Sequence, residues 1–477
     1  MELKDKKVVV IGMGISGLAS ARALVERGAK VVVMDTQSAK ELKEPLSQLL
    51  RLKVKTVVGG YDQKLLKEAN LVVISPGVPT DLSALRVARL RSIPIISEVE
   101  LAYQINPNPF IIAVTGTNGK TTTVTLIGEI LKRDKLSACG QAQTGRKVKV
   151  AGNIGLPLVE EIKGAKSLDF VVTEVSSFQL ETIDKFRPKI SLILNVTPDH
   201  LKRHKSFKSY LEAKKRIFLN QKKGDYLILN LDDPATFNLA SQTKAKVIFF
   251  SQREELREGA YIRREPEERI VINLKRRRFE VCKVEEVRIK GRHNLENVLA
   301  SSIISFICGV NLNNLRSVLK EFPGLEHRQE RVAKVEGREF INDSKGTNPA
   351  ATIQALEAFT PPIILIAGGE DKGLKFDGLA KVILKKVKAL IVLGEAAGRM
   401  KEEFSEYGFS QIKRVSSLKE AVNLSFQLAS SGEVVLFSPA CSSFDMFSSF
   451  EERGRVFKEE VERLKRRVES DSKKVIP

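Results

Sequence analysis

The sequence predicts an α/β protein of three domains, and three observations predict it. Short Val/Ile-rich runs alternate with helical stretches along most of the 477 residues, the pattern of parallel sheets covered by helices. A Gly-x-Gly-x-x-Gly turn, Gly12 to Gly17, follows the first run. A second loop, Gly116-Thr-Asn-Gly-Lys-Thr-Thr122, follows the run that begins at Phe110. Loops of this kind set a ligand at the carboxyl end of a sheet.

The first block, residues 1–107, reads as a Rossmann-like domain. Its strand candidates are Val8–Ile11, Val31–Met34, Val54–Val58, Leu71–Ile74 and Pro94–Ile96. The Gly12 turn opens a helix, and Asp35 ends the next strand. Backbone N–H groups at such a helix start hold a pyrophosphate, and the acid holds a ribose. NAD presents those groups, and so does a UDP-sugar. Asn106-Pro-Asn-Pro109 reads as a linker.

The second block, residues 108–324, carries the loop after Phe110. Gly116, Thr117, Asn118 and Gly119 turn backbone N–H groups toward a phosphate. Lys120 adds charge, Thr121 offers a hydroxyl to Mg²⁺, and a helix follows. The loop is shorter than the standard phosphate loop, whose first glycine would fall at Val114. Glu174 follows a strand at Phe170–Thr173, and Asp199 and His200 follow one at Leu192–Val196. Three strand ends therefore bring ligands for a hard cation beside phosphates. His200 and His204 are four apart, like a zinc pair, but Pro198 opposes a continuous helix. His204 is expected to be a loop or cap residue. Runs at Tyr261–Arg264, Arg269–Leu274 and Phe279–Val284 predict a small antiparallel sheet with one polar face. Asn294 to Gly309 reads as the closing helix.

The third block, residues 325–477, has strands at Glu339–Ile341, Ile363–Ala367, Leu390–Leu393 and Val434–Phe437. Polar turns follow three of them: Asn342–Asn348, Gly368–Gly373 and Ser438–Asp445. Three such turns on one sheet edge favour an acidic substrate, with Lys345, Thr347, Lys372 and Ser443 as donors. Phe457, Val461, Leu464 and Val468 fall on one face of a last helix, and Ser470–Pro477 reads as a frayed tail.

Composition narrows the class. With 42% hydrophobic and 29% charged residues the chain is globular. No apolar run approaches the ~20 residues of a membrane helix, and the charged Met1–Lys7 segment leads into a run too short for a signal peptide. A cytoplasmic location is expected. Cysteines at 139, 282, 308 and 441 form no Cys-x-x-Cys pair, so neither a zinc knuckle nor a disulfide framework is expected. The formal charge of +21 invites an anionic partner. Its basic residues are spread through helices and hairpins and no nucleic-acid module is present, so nucleic acid is not expected as a partner; without an apolar run of membrane-spanning length, neither is a membrane.

Together these motifs resemble the Mur ligases, from Gly12 to about Phe457. The residues that carry the resemblance are Gly116–Thr121, Gly152-Asn-Ile-Gly155, Glu174–Glu181, Asn195–Leu201, His293-Asn-Leu-Glu-Asn297, Glu326-His-Arg328, Asp343–Asn348 and Ser438–Asp445. Folylpolyglutamate synthases share the Lys120 loop, but the Gly12–Gly17 turn opposes the folate reading. An NAD dehydrogenase leaves that loop and Glu174 unexplained. The runs Ser176-Ser-Phe-Gln-Leu180 and Ser442-Ser-Phe-Asp445 point to the branch that adds D-glutamate.

The resemblance implies an ATP-dependent ligation in peptidoglycan precursor synthesis. The carboxylate of UDP-N-acetylmuramoyl-L-alanine becomes an acyl phosphate, and the amine of D-glutamate displaces the phosphate. It implies two Mg²⁺ ions, held by Thr121, Glu174, His200 and a carbamylated Lys214, with Lys120 on the phosphates and Asn153 close by. Lys215 is the alternative to Lys214. Asn294, Asn297, Arg328 and Asp343 would hold the nucleotide. Gly14, Ile15, Ser16, Asp35 and Thr36 would take the UDP moiety. Lys345, Thr347, Lys372, Ser443, Phe444 and Phe450 would receive D-glutamate, in a monomer. Lys202 departs from the family, which often has an acid there.

Overall fold

The computed structural model describes residues 1–137, 146–153, 155–360 and 362–474. Cys139, Ile154 and residues 475–477 lie outside the described residues. The chain divides into two compact units. One is residues 1–287 with 294–321, and the other is residues 288–293 with 322–477.

The first unit holds two sheets. Strands β1 (Lys7–Ile11), β2 (Lys30–Met34), β3 (Lys55–Val57), β4 (Leu71–Ile74) and β5 (Ile95–Ser97) form a sheet of order β3-β2-β1-β4-β5. All its pairings are parallel. Runs such as Leu71–Ile74 are buried throughout, because helices cover both faces of such a sheet.

The second sheet has nine strands: β6 (Phe110–Thr115), β7 (Val148–Gly152), β8 (Phe170–Glu174), β9 (Ile190–Ile193), β10 (Tyr226–Asn230), β11 (Lys246–Ser251), β12 (Gly259–Arg263), β13 (Arg269–Leu274) and β14 (Arg277–Lys283). Their order is β14-β13-β12-β11-β10-β9-β6-β8-β7. The three strands expected to make a small antiparallel sheet form its edge. β12 pairs parallel with β11, and only the last two pairings are antiparallel. β12 and most of β13 are buried, so the polar face expected of all three is confined largely to β14. β9 stops at Ile193 rather than Val196; beyond it Asn195 O accepts Thr117 N at 2.9 Å, and Val196 N donates to the Asp233 side chain at 2.7 Å instead of to a neighbouring strand.

The two sheets share one continuous apolar cluster, from Val8 and Leu71 through Ile111 and Val159 to Leu229. The expected linker is tied down. Asn106 Nδ2 donates to Ile162 O (3.0 Å) and Ala165 O (2.8 Å). The helix before it, Glu98–Ile105, is capped by Ser97 and inserts two acids into the second domain. Glu100 accepts Asp184 N, Lys185 N and Phe186 N, each at 2.9 Å. Buried Glu98 accepts Val159 N at 2.6 Å, and burial pushes its carboxyl up to about 7.

The second unit is built on β15 (Glu330–Val335), β16 (Arg338–Asn342), β17 (Ile363–Gly368), β18 (Val387–Leu393), β19 (Ile412–Arg414) and β20 (Val434–Phe437), in the order β15-β16-β20-β17-β18-β19. Only the β15–β16 pairing is antiparallel. The last helix runs Phe450–Lys474, so the tail expected from Ser470 is helical to Lys474. Phe457, Val461 and Leu464 are buried, as their spacing predicts. Among the described residues no helix is long and apolar enough to cross a membrane.

Candidate active site

At the carboxyl edge of the nine-stranded sheet the loop after β6 turns sharply. Gly116 (φ +155°) and Gly119 (φ +81°) adopt conformations that favour glycine. At Gly119 a Cβ would also lie 2.2 Å from Asn297 Oδ1. The loop is latched to the segment after β9. Thr117 Oγ1 donates to Thr197 O (3.1 Å) and lies 3.2 Å from Tyr210 Oη, while Asn118 N donates to Asn195 Oδ1 (2.9 Å).

Two lysines meet on one carbonyl. Lys120 Nζ donates to Gly116 O (2.8 Å) and Thr117 O (2.7 Å), and Lys214 Nζ donates to the same Gly116 O (2.7 Å). Lys214 is only 1% exposed and lies over the Tyr210 ring. Burial first, then the neighbouring Lys120 charge, holds its ammonium well below the usual lysine range, against the pull of Asp199 and Glu174. Lys215 points elsewhere and pairs with Glu212 at 3.1 Å. Burial also pushes the Tyr210 hydroxyl up to about 12.

Beside the lysines stands an oxygen pair suited to a hard cation. Thr121 Oγ1 donates to Glu174 Oε2 (2.9 Å), and Asn153 Nδ2 donates to Glu174 Oε1 (3.0 Å). Asn153 N also donates to Glu174 O across the β7–β8 edge. Thr122 is buried behind the loop. His200 sits at φ +52° with a half-exposed ring, 3.4 Å from Asp199 and edge-on to Phe178. His204 is not the expected loop or cap residue. It is buried in the short helix Leu201–His204, its Nε2 3.0 Å from Ser177 Oγ and its ring stacked on Phe178.

Asn294 and Asn297 are buried on the helix Arg292–Ile307. Asn297 joins the phosphate loop through Thr123 Oγ1 (3.2 Å) and donates to Asn294 Oδ1. In the first sheet Gly14 starts the helix Ile15–Val25 with open space around it, and Ile15 is 74% exposed. Asp35 accepts Met13 N (2.8 Å) and Gln37 N (2.9 Å), which fixes the glycine turn from beneath. Thr36 beside it is exposed, and Ser16 accepts Ser20 Oγ through its carbonyl.

The second unit gathers its own set. Asp343 is buried, accepts Ser438 Oγ (2.6 Å) and Gln329 N (3.2 Å), and is pushed up to about 6 by burial, against the pull of Arg328. Lys345 lies over the Phe450 ring and Lys372 over the 66%-exposed Phe444. Thr347 N donates to Lys345 O, and the Ser443 carbonyl accepts Phe447 N. Sequence reasoning missed Arg453, which organises these turns. Its buried guanidinium donates to Ser344 Oγ and to the carbonyls of Ser344, Cys441 and Ser442. An arginine just inside an amphipathic helix was the available signal. It also missed Asn195 and Tyr210, which steady the loop only through the fold.

A phosphate loop and a hydroxyl–carboxylate pair on the parallel part of one sheet, in a chain that also carries a Rossmann-like sheet and a third α/β sheet, define a nucleotide-using enzyme. The chain belongs to the Mur ligase family. Its residues 6–97 match the Mur ligase MurD-like N-terminal domain, 114–305 the Mur ligase middle domain, and 327–441 the Mur ligase, glutamate ligase domain. It is 46% identical over 468 residues to a UDP-N-acetylmuramoylalanine–D-glutamate ligase of Caldanaerobacter subterraneus, covering 98% of this chain and all of that one. It is 46% identical over 467 residues to the ligase of the same name from Pelotomaculum thermopropionicum, covering 97% and 100%. In fold it is similar to the UDP-N-acetylmuramate-alanine ligase MurC of Thermotoga maritima (TM-score 0.58, 20% identity, covering 96% and 100%). It is likewise similar to MurF of Acinetobacter baumannii (TM-score 0.60, 16% identity, covering 95% and 93%).

Proposed function

We propose that this chain is the ATP-dependent ligase that joins D-glutamate to UDP-N-acetylmuramoyl-L-alanine in peptidoglycan precursor synthesis. The observation that carries it is full-length identity of 46% to a ligase of that name. The chemistry needs an activated acid, because a free carboxylate is a poor acyl donor. Transfer of the γ-phosphoryl group makes an acyl phosphate. The amine of D-glutamate then attacks its carbonyl carbon, and phosphate leaves with the C–O bond pair.

The residues supply what such a transfer requires, position and neutralised charge. Lys120, on the loop Gly116–Thr122, faces the phosphates. Thr121 and Glu174 fit Mg²⁺, since both present oxygen, and the metal supplies charge neutralisation when bound. His200 would hold a second ion. Lys214 would complete that set as a carbamate: its neutral amine adds to CO₂ and releases a proton, leaving an anionic oxygen pair. Its burial beside Gly116 O, with Lys215 turned to Glu212, supports Lys214 as the modified residue.

Residues 1–107 take the UDP-sugar through Gly14, Ile15, Ser16, Asp35 and Thr36. Residues 108–324 take ATP and metal, with Asn153, Asn294 and Asn297. Residues 325–477 add Arg328 and Asp343 for the nucleotide, and Lys345, Thr347, Lys372, Ser443, Phe444 and Phe450 for D-glutamate. The enzyme works as a cytoplasmic monomer. Phosphate release from ATP, scored with a panel of amino acids, tests the reading. Release should require both UDP-N-acetylmuramoyl-L-alanine and D-glutamate; turnover with L-lysine or meso-diaminopimelate in place of D-glutamate would reassign the enzyme.

A further inference from the structure

We propose that the turn Lys275–Arg278 docks the enzyme on an anionic lipid bilayer. Leu274 pairs with Arg277, so Lys275 and Arg276 are the two central residues of the β13–β14 hairpin. Both have positive φ, +52° and +61°. A two-residue turn of that hand selects Asn-Gly, because L side chains enter the left-handed region at a steric cost. Here two long cations occupy it, and Arg277 and Arg278 follow at once. All four are exposed, and none has an acidic partner among the described residues. A local rule broken without local compensation marks a residue kept for another purpose.

That purpose is not substrate binding. β13 runs antiparallel to β12, with Asn273 opposite Gly259 at the amino end of β12. The turn therefore lies at the amino end of the parallel strands, while the phosphate loop lies at their carboxyl end. β14 is also six strand spacings from β6, about 29 Å laterally. An anion held at the turn leaves the active edge free.

Charge alone is offered there. The aromatic ring next after the turn in sequence, Phe279, is packed on Phe306 with centroids 4.6 Å apart, so it offers no platform for bases to stack on. Four clustered cations on flexible stems suit the diffuse negative potential of an acidic lipid surface, where each contributes independently. The sequence-based expectation of no membrane partner rested on the lack of a spanning apolar run, which does not bear on surface docking by the consecutive cations Lys275–Arg278.

The test uses the full chain and vesicles of phosphatidylglycerol mixed with phosphatidylcholine, against pure phosphatidylcholine. The parent should sediment with the acidic vesicles only, and less so as salt rises. The variant carrying Lys275→Asn, Arg276→Gly, Arg277→Thr and Arg278→Thr should bind them several-hundred-fold more weakly, at about fivefold per cation. Its turnover in solution should stay unchanged, which shows that it folds. Equal vesicle binding by parent and variant overturns the proposal. So does tighter binding of duplex DNA than of acidic vesicles by the parent at the same salt. A variant that keeps vesicle binding but self-associates would show that the cations only guard an edge strand, and that outcome also overturns it.

Discussion

Replacing Lys214 by Met should destroy turnover and leave the fold as stable or more so. The structure gives both halves. Lys214 Nζ and Lys120 Nζ share Gly116 O at 2.7 and 2.8 Å. In Lys214→Met that carbonyl keeps Lys120, so one hydrogen bond worth about 1 kcal/mol is lost and no polar atom is orphaned. Against that loss, a buried ammonium and its opposition to Lys120 disappear. The pH sign is definite. In the absence of CO₂, unmodified Lys214 in the folded chain gives up its proton well below the ordinary value of 10.5, near which an unfolded lysine loses its own. Between the two values the unfolded chain binds more protons, so unfolding free energy rises with pH across that window, and the methionine variant should lose this slope. Turnover should fall roughly 10²–10³-fold, about 3–4 kcal/mol, the usual cost of removing one preorganised charge-stabilising group. Urea unfolding at several pH values and phosphate release on the same sample measure both. Partial rescue of turnover by small carboxylates would mark the missing group as an acid. Turnover within about tenfold of the parent, or a clear loss of stability, would show that Lys214 is only a packing residue.

Two further outcomes follow from the same geometry. Gly119→Ala should keep the fold by circular dichroism but lower kcat/KM for ATP roughly 100-fold, because its Cβ would meet Asn297 Oδ1 at 2.2 Å in a left-handed conformation; an unimpaired variant would show that the loop tolerates displacement. Glu98→Gln should flatten stability against pH between 4.5 and about 7, where the folded acid keeps a proton that the unfolded one has lost. It should be more stable than the parent by roughly 1–3 kcal/mol at pH 8, whereas parallel urea-unfolding curves across that range would remove Glu98 as the titrating group.

The strand ends proposed to carry chemistry were legible because glycines and β-branched runs punctuate them. Gly12–Gly17, Gly116–Thr121 and Glu174 all fall at carboxyl ends of parallel strands, as their positions in the sequence imply. Pairing partners were less legible. The runs at β12, β13 and β14 look antiparallel in isolation, and nothing local in them says that β12 continues a parallel sheet through β11. His204 was misread because Pro198 was taken to oppose a helix, whereas a short helix starts beyond it at Leu201, and spacing alone does not report the neighbours, Ser177, Glu181 and Phe178, that enclose it. Arg453 was missed for the same reason: its acceptors are carbonyls 11 to 109 residues away.

The first two domains are joined by carboxylates that cap backbone rather than by buried ion pairs, and this choice has a mechanical consequence. Glu100 takes three N–H groups of one turn, Asp184 to Phe186, and also receives Gln104 Nε2 at 2.6 Å. A carboxylate satisfied by fixed backbone donors cannot slide without exposing all of them. Surface pairs across the same junction, Arg22 with Glu160 and Lys163 with Glu26, hold long, partly exposed side chains and resist little. Glu98 adds a second pin, with Oε1 on Val159 N and Oε2 unpartnered among the described residues. Two pins on one helix, with a shared apolar cluster behind them, fix the glycine turn of the first sheet and the phosphate loop of the second as parts of one body. If the glycine turn takes the UDP-sugar and the loop takes ATP, as proposed, the fold sets the orientation of the acid before ATP arrives, and the binding energy of ATP need not be drawn on to align the two sites.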